Sequence, residues 1–142
     1  MQVHYSSKSN EWATPQYLFD ELDREFSFTL DPCATDGNAK CDKYYTIKDD
    51  GLKQDWSNDV VFMNPPYGRG IKHWIKKAYE EHMKGATVVC LIPSRTDTTY
   101  WHDYIFEKAS DIRFLRGRLK FGDSKNSAPF PSAIVVYESE IR

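Results

Sequence analysis

The residues best suited to chemistry follow a short apolar run. Residues 60–63 (VVFM) are continuously apolar, as expected of a strand buried on both faces, and the chain continues as Asn64-Pro65-Pro66-Tyr67. The Asn64 side-chain oxygen and the Pro65 carbonyl accept hydrogen bonds, and Tyr67 offers an aromatic face. Ligands of parallel sheets bind beyond the carboxyl ends of the strands, where this segment would lie. Two prolines after a strand are also ordinary turn chemistry, so a site and a plain turn both remain open.

The tetrapeptide resembles the Asn-Pro-Pro-Tyr element of the amino methyltransferases, which modify nitrogen in adenine, cytosine or glutamine amides. An exocyclic amine is a poor nucleophile because its lone pair is delocalised into the ring, so its two N–H groups need acceptors. By this resemblance the Asn64 side-chain oxygen and the Pro65 carbonyl are those acceptors, and Pro65 and Pro66 hold them rigidly so that they favour a tetrahedral nitrogen. Tyr67 would stack on a base flipped out of its duplex.

Other segments resemble the S-adenosylmethionine pocket of these enzymes. In the Asp31-Pro32-Cys33-Ala34 element, Asp31 would meet the amino group of the methionine moiety, although residues 34–38 lack the Gly-x-Gly turn common in methyltransferases. Asp55 would accept a hydrogen bond from the cofactor adenine while Trp56 packs on its ring. An Asp-Pro pair such as Asp31-Pro32 is also common in plain turns. A solvated Asp beside a core Trp explains Asp55 and Trp56 equally well. Residues 11–15 resemble the N-terminal segment of the same pocket, although by themselves they are typical of a helix cap. The resemblance implies the following cofactor-binding residues: Trp12, Thr14, Pro15, Asp31, Pro32, Cys33, Ala34, Asp55 and Trp56.

The order of these segments, together with residues 91–98 and 128–132, resembles the phage-type DNA adenine N6-methyltransferases (Dam-like) over roughly residues 11–137. This resemblance implies direct methyl transfer to the N6 atom of a flipped-out adenine without a covalent enzyme intermediate, so Cys33 and Cys90 need not be nucleophiles. It implies DNA as partner and a cytoplasmic location, in a bacterial host or a phage-infected cell. The tetrapeptide alone would also suit a methyltransferase acting on protein glutamine or RNA, and the missing glycine-rich turn would suit an inactive cofactor- or nucleic-acid-binding relative.

Charge is distributed unevenly along the chain. Residues 1–60 contain 6 Lys and Arg against 12 Asp and Glu, whereas residues 61–142 contain 13 against 9, so the two parts have net charges of −6 and +4. This asymmetry suits a chain that offers one face to a polyanion and another to a cationic cofactor, and two solvated faces explain it equally well. The residues predicted to contact nucleic acid are Arg69, Arg95, Thr96, His102, Arg116, Arg118, Lys120 and Lys125.

The periodicity of apolar residues predicts the scaffold. Thr14 as cap and Pro15 at the first helical position predict a helix start, and further helices are expected over about 71–82 and around 101–108. Strands are expected near 60–63, 87–92, 112–115 and 133–137, with a loop or loose hairpin over 117–131. The prediction is a compact α/β, Rossmann-like S-adenosylmethionine-dependent methyltransferase domain over residues 1–142, without a separate target-recognition domain. Its sheet should be mostly parallel, with helices on both faces and an antiparallel C-terminal strand.

Several classes of protein do not fit this sequence. No apolar run approaches the roughly 18 residues that a membrane-spanning helix needs, which predicts a soluble protein with no membrane partner. Three cysteines without a C-x-x-C pair and four histidines without ligand spacing predict neither a disulfide framework nor a bound metal. No pattern in the sequence indicates an oligomeric state.

Overall fold

A computed structural model of the protein describes residues 12–122 and 126–140. Helix α1 spans Gln16–Phe26 and helix α2 spans Ile71–Met83. A 3₁₀ turn occupies Gly51–Lys53 and a π-helical segment occupies Trp101–Ile105. The strands are β1, Val60–Met63; β2, Thr87–Pro93; β3, Asp111–Phe114; and β4, Ser132–Tyr137. In the described part of the chain, no helix is both long and apolar enough to cross a bilayer.

Strand β1, helix α2 and strand β2 form the predicted strand–helix–strand unit. The two strands pair in parallel, with Val60 opposite Thr87 and Met63 opposite Cys90. Between them the buried side chains of α2 recur at helical spacing, so that one stripe of the helix faces the sheet. Gly85 lies just after the helix with a φ of 124°, a conformation that glycine adopts without steric strain, and the chain turns there into β2.

The sheet order is β1-β2-β4-β3, and only the β1–β2 pair is parallel. The prediction of a mostly parallel sheet is therefore wrong. Strands β1, β2 and β3 do run in one direction, but β4 runs against them and lies between β2 and β3, so both of its ladders are antiparallel. The antiparallel direction predicted for the last strand is confirmed. Its central position buries all six residues of β4.

Helices cover both faces of the sheet, as predicted. Phe62 and its partner Val89 share one face because paired residues in neighbouring strands point the same way. The Phe19 ring of α1 packs edge-on against Phe62, with ring centroids 5.2 Å apart. On the other face, the Tyr79 ring of α2 packs against Tyr137 of β4 at 6.1 Å. The sheet and the helix on each of its faces share one continuous apolar core.

A short extended segment continues the sheet beyond β1. Leu30 forms a parallel bridge with Val61, and the Phe62 amide donates to the Leu30 carbonyl at 2.9 Å. Leu30, β1 and β2 therefore run side by side in the same direction, and their carboxyl ends meet at one edge of the sheet. Asp31 and Asn64 are the first residues after the two neighbouring ends, which brings these two polar side chains to the same place.

Candidate active site

A cavity of about 540 Å³ opens at this edge of the sheet, in the size range of small-molecule and cofactor sites. Its walls come from the N-terminal segment, the loop after Leu30, the turn before Gly51 and the residues after β1. The structure brings most of the predicted cofactor and catalytic residues to this cavity. Those that line it are Trp12, Thr14, Asp31, Pro32, Cys33, Ala34, Asn64, Pro65 and Pro66.

Asn64 is half-buried, and hydrogen bonds hold its side-chain amide in place. Its Nδ2 donates to the Trp12 carbonyl and to the Thr14 hydroxyl oxygen, the latter at 2.9 Å. Its Oδ1 accepts from the Tyr67 hydroxyl at 2.8 Å. An amide oxygen has two lone pairs, so Oδ1 can accept a second hydrogen bond. Asn64 therefore contributes a neutral amide, held at both ends, to the cavity wall.

Tyr67 is only 6% exposed and does not line the cavity. Its ring packs edge-on against Phe121 and Phe130, with centroid distances of 6.2 and 5.5 Å. Its hydroxyl lies 2.8 Å from Asn64 Oδ1 and 3.1 Å from the Leu91 carbonyl oxygen. Burial raises the pKa of this hydroxyl well above its ordinary range, so it stays protonated and remains a donor. Little of the ring is exposed in this placement, and the stacking role that the sequence suggested stays a prediction.

The N-terminal segment connects Asn64 to helix α1. Pro15 immediately precedes α1, and its carbonyl accepts from the amides of Leu18 and Phe19 at 3.1 and 3.2 Å. The helix therefore begins one residue later than predicted, without a side-chain cap. Thr14 does not cap it, because the Thr14 hydroxyl is instead hydrogen-bonded to Asn64. Pro15 is buried behind the cavity and does not line it.

Asp31 presents a buried carboxylate to the cavity, with 5% of the residue exposed. Its two oxygens accept from the backbone amides of Cys33, at 3.2 Å, and Lys40, at 3.0 Å. Burial raises the pKa of Asp31 above its ordinary value, while these two hydrogen bonds act in the opposite direction. Two amide donors do not use all the lone pairs of a carboxylate, so Asp31 retains capacity to bind a cationic group.

Cys33 lines the cavity, and Cys90 is buried in β2. Burial raises the pKa of both Cys33 and Cys90 well above the ordinary value for a thiol. A thiol rather than a thiolate is a poor nucleophile, so neither residue suits covalent catalysis. Among the described residues, no group of three or more His, Cys, Asp and Glu side chains is placed to hold a metal ion.

Asp55 and Trp56 lie outside the cavity, contrary to the role suggested by the sequence. Asp55 is exposed and accepts from the Ser57 amide at 2.9 Å. Trp56 is fully buried, where its backbone amide donates to the Glu81 carboxylate at 2.6 Å and its indole nitrogen donates to the Gly51 carbonyl at 3.0 Å. Trp56 therefore supports the turn at Gly51 from behind instead of contacting a ligand.

The wall next to this turn contains functional candidates that sequence reasoning missed, namely Asp50, Gly51 and Trp74. A Cβ atom on Gly51 would overlap the Pro32 carbonyl oxygen and lie 3.1 Å from the Trp74 ring. Only glycine therefore allows the turn to pack this closely against the loop after Leu30. The Asp50-Gly51 pair is a turn signal in the sequence, but its proximity to Pro32 and Trp74 arises only from the tertiary fold.

The basic residues predicted to contact nucleic acid are exposed. Arg95 and Thr96 follow β2 at the same sheet edge as the cavity, and His102 lies beside them with Nε2 2.9 Å from the Thr96 carbonyl oxygen. The Arg95 guanidinium lies 5.8 Å from the centre of the Phe130 ring. The other exposed candidates in the described ranges are Arg69, Arg116, Arg118 and Lys120, and Lys125 lies outside those ranges.

Residues 117–131, predicted as a loop or loose hairpin, are folded onto the site in their described parts. The Ala128 amide donates to the Leu119 carbonyl at 2.7 Å, and the Gly122 amide donates to the Ala13 carbonyl at 2.8 Å. Phe121 and Phe130 pack edge-on against the Trp12 ring at 5.5 and 5.2 Å. This segment therefore encloses the aromatic cluster that surrounds Tyr67.

Comparison with known proteins identifies the family of this chain. The model of the family DNA N-6-adenine-methyltransferase (Dam) matches residues 3–138. The chain is 27% identical over 140 residues to the DNA N-6-adenine-methyltransferase of Haemophilus phage HP1 (strain HP1c1), covering 93% of this chain and 80% of that protein. It is 29% identical over 110 residues to the DNA N-6-adenine-methyltransferase of Escherichia phage T1, covering 76% of this chain but only 45% of that longer protein. Because the family match spans nearly the whole sequence, the chain belongs to the Dam family of DNA N-6-adenine-methyltransferases.

Proposed function

We propose that this chain transfers a methyl group from S-adenosylmethionine to the N6 atom of an adenine flipped out of DNA. Membership of the Dam family supports the reaction and the substrate. One structural observation carries the assignment of the site: Asp31 and Asn64, which follow neighbouring parallel strand ends, line a single cavity. One side chain is an anion that suits a cationic cofactor, and the other is a neutral acceptor that suits an amine.

The residues of the cavity fit S-adenosylmethionine. Its methionine ammonium would meet the Asp31 carboxylate, whose buried position strengthens a charge-assisted hydrogen bond. Trp74 and the methylene and ring groups of Pro32 and Phe62 provide apolar surface for the rest of the cofactor. When bound, S-adenosylmethionine supplies an electrophilic methyl group on a sulfonium centre.

The residues after β1 would orient the amine that receives this methyl group. Asn64 Oδ1 has one lone pair free for an amine N–H, because its other interaction is with the Tyr67 hydroxyl. Pro65, which is buried and lines the same cavity, would offer its carbonyl oxygen to the second N–H. Two acceptors held before the substrate arrives orient the nitrogen lone pair away from the ring, towards the methyl donor. The exposed Pro66 stiffens this bend.

The same proposal covers the scaffold and the DNA contacts. The β1–α2–β2 unit, with the site at its carboxyl edge, supports a Rossmann-like S-adenosylmethionine-dependent methyltransferase domain. Arg69 and Arg95, which follow β1 and β2 at this edge, would hold backbone phosphates beside the flipped base. Choice of the target sequence would then come from exposed loops such as 95–99 and 117–131. The proposed place of action is the cytoplasm of a bacterial or phage-infected cell.

The test is transfer of labelled methyl from S-adenosylmethionine to unmethylated DNA, with RNA and protein as competing acceptors. We expect transfer to DNA, and we expect Asn64→Ala to abolish it. Cofactor binding, measured by calorimetry, should be retained, with a modest rise in Kd because Asn64 also holds Trp12 and Thr14 in the cavity wall. Transfer to RNA or to a glutamine-containing protein but not to DNA would contradict the proposed substrate. Cofactor binding without any transfer would indicate an inactive relative.

A further inference from the structure

We propose that the Lys40 side chain binds the carboxylate of the methionine moiety of S-adenosylmethionine, beside the Asp31 carboxylate that meets its ammonium. This inference rests on the proposed function, since it concerns how the methyl donor of that reaction is held. No motif in the sequence singled out Lys40.

The chemistry of the methionine moiety requires two partners of opposite charge. Its ammonium and its carboxylate are attached to the same carbon atom, so the side chains that bind them must lie close together. Asp31 attracts the ammonium but repels the carboxylate, and the repulsion is strong in a buried setting. A cation or a set of hydrogen-bond donors is therefore needed next to Asp31.

The loop that follows Asp31 returns the chain to it at Lys40. The backbone amides of Cys33 and Lys40 donate to the two oxygens of the Asp31 carboxylate, at 3.2 and 3.0 Å. Within the loop, the Thr35 amide donates to Asn38 Oδ1 at 2.7 Å, and the Asn38 amide donates back to the Thr35 carbonyl at 3.3 Å. Asp31 and Lys40 thus become neighbours on the lining of the same cavity.

The Lys40 ammonium is held near Asp31 and keeps its charge. Its Nζ donates to Oε1 of Gln16, the first residue of α1, at 2.7 Å. Gln16 is neutral, so this bond positions the ammonium without cancelling its charge, and an ammonium has three donors. Burial raises the pKa of Asp31, and the positive charge of Lys40 acts in the opposite direction, together with the two amide hydrogen bonds. The ammonium is therefore close enough to Asp31 to influence it.

Lys48 provides a matched control in the same cavity. It also lines the cavity and is exposed, but it belongs to the turn in which the Asp49 amide donates to the Thr46 carbonyl at 3.0 Å. The two amides that hold the Asp31 carboxylate are those of Cys33 and Lys40, and Lys48 takes no part in that contact. Lys48 therefore has the same charge as Lys40 without its link to Asp31.

The decisive experiment compares two cofactors in calorimetric titrations of Lys40→Gln and Lys48→Gln. The second cofactor is decarboxylated S-adenosylmethionine, which keeps the ammonium and the sulfonium but lacks the carboxylate. We expect Lys40→Gln to raise Kd for S-adenosylmethionine by about 10-fold, as is typical when a charge-assisted contact is lost. Kd for the decarboxylated form should stay the same or fall, because Lys40 repels the two positive groups that remain. Lys40→Arg should recover most of the affinity for S-adenosylmethionine, since it keeps the charge.

The control and the contrary outcomes separate binding of the carboxylate from support of the loop. Lys48→Gln should change both Kd values by less than about threefold, because an exposed charge is screened by solvent. An equal rise of both Kd values in Lys40→Gln would mean that the side chain only supports the loop, and would overturn the inference. An unchanged Kd for S-adenosylmethionine in Lys40→Gln, or a larger loss in Lys48→Gln, would also overturn it. If Lys40→Gln does not fold, Lys40→Met, which keeps the apolar stem, carries the same test.

Calorimetric binding does not depend on methyl transfer, so the two proposals fail in different ways. A wild-type chain that binds S-adenosylmethionine tightly and its decarboxylated form weakly, but does not methylate DNA, would contradict the proposed function and support this inference. A wild-type chain that does not bind S-adenosylmethionine would overturn both.

Discussion

At the scale of single residues, the site combines two polar side chains with different chemistry. Asp31 is a buried anion that accepts from two backbone amides, and Asn64 is a neutral amide bonded at both ends. The position of Asn64 was predictable from the sequence, because it follows directly on an apolar run and strand ends are where ligands bind, whereas Asp31 was predicted from the resemblance of its segment to a cofactor-binding element. The placement of the Tyr67 ring was not predictable, since it depends on Phe121 and Phe130, which lie more than fifty residues away in the chain.

Removal of the charge at residue 31 should weaken cofactor binding. We expect Asp31→Asn to raise Kd for S-adenosylmethionine by about 10- to 100-fold, as is typical when a charge-assisted contact is lost. Asp36→Asn is the matched control, because it removes the same charge from an exposed position on the cavity lining and should change Kd less. Calorimetric titration with S-adenosylmethionine measures both, and equal Kd values in the two variants would argue against the role of Asp31.

The pH dependence of cofactor binding should follow the same carboxylate. Because the pKa of Asp31 in the folded protein is raised above 3.8, Asp31 gains a proton at a pH above that value and loses its attraction for a cation. As the pH falls through this window, cofactor affinity should decrease. The contribution of Asp31 to the free energy of unfolding should increase over the same window, because the folded state binds the proton more tightly than the unfolded state. Titrations of Asp31→Asn should show neither change, and identical pH profiles for variant and wild type would contradict the assignment.

At the scale of secondary structure elements, the spacing of apolar residues predicted which segments form strands and helices, but not the order of the strands in the sheet. Residues 60–92 fold as the expected parallel strand–helix–strand unit because a buried apolar run, an amphipathic helix and a second apolar run leave few alternatives. The position of β4 between β2 and β3 was not predicted, because a buried strand has the same pattern of apolar residues whatever its place in the sheet. Trp56 was misassigned for a similar reason: a buried aromatic behind a cavity wall and one on its surface look alike in sequence.

The turn at Gly51 allows a direct test of how closely the elements around the cavity are packed. Gly51→Ala should lower the free energy of unfolding by about 1–3 kcal/mol, because the added Cβ overlaps the Pro32 carbonyl oxygen and contacts the Trp74 ring. Since Pro32 and Trp74 both line the cavity, cofactor affinity should fall as well. Gly37→Ala is the matched control, because nothing lies within 4 Å of its added Cβ. Denaturant unfolding and calorimetric titration measure both effects, and equal behaviour of the two variants would contradict this account of the wall.

At the scale of the whole molecule, the cavity differs in charge from the surface predicted to contact DNA. The acidic side chains Asp31, Asp36 and Asp50 and the basic side chains Lys40 and Lys48 line the cavity, and of these only Asp31 is buried. The predicted nucleic-acid contacts that the structure describes lie outside the cavity and are exposed, where they suit a polyanion. Arg113 differs from them, because its guanidinium is paired with Glu25 and Asp111 at 2.7 and 2.8 Å and is therefore committed within the protein.

DNA affinity should therefore decrease steeply as salt is raised. Each phosphate contact contributes a slope of about −0.9 to the dependence of log K on log salt, so Arg118→Ala should make the slope less negative by about 1. Arg113→Ala should leave the slope unchanged, since that side chain already has two anionic partners. Fluorescence anisotropy with labelled duplex DNA at several salt concentrations measures both slopes. A flat salt response in the wild type would remove the exposed basic residues from the DNA interface.

If the acceptors after β1 present the N6 amine of a flipped adenine to a methyl donor bound beside Asp31, the new methyl group must be on that nitrogen. Digestion of DNA treated with the protein and S-adenosylmethionine, followed by mass spectrometry of the nucleosides, identifies the methylated atom. We expect N6-methyl-2′-deoxyadenosine as the methylated product of the wild type and its absence after treatment with Asn64→Ala. A methyl group on cytosine or on a ring nitrogen of adenine, or undiminished product from Asn64→Ala, would contradict it.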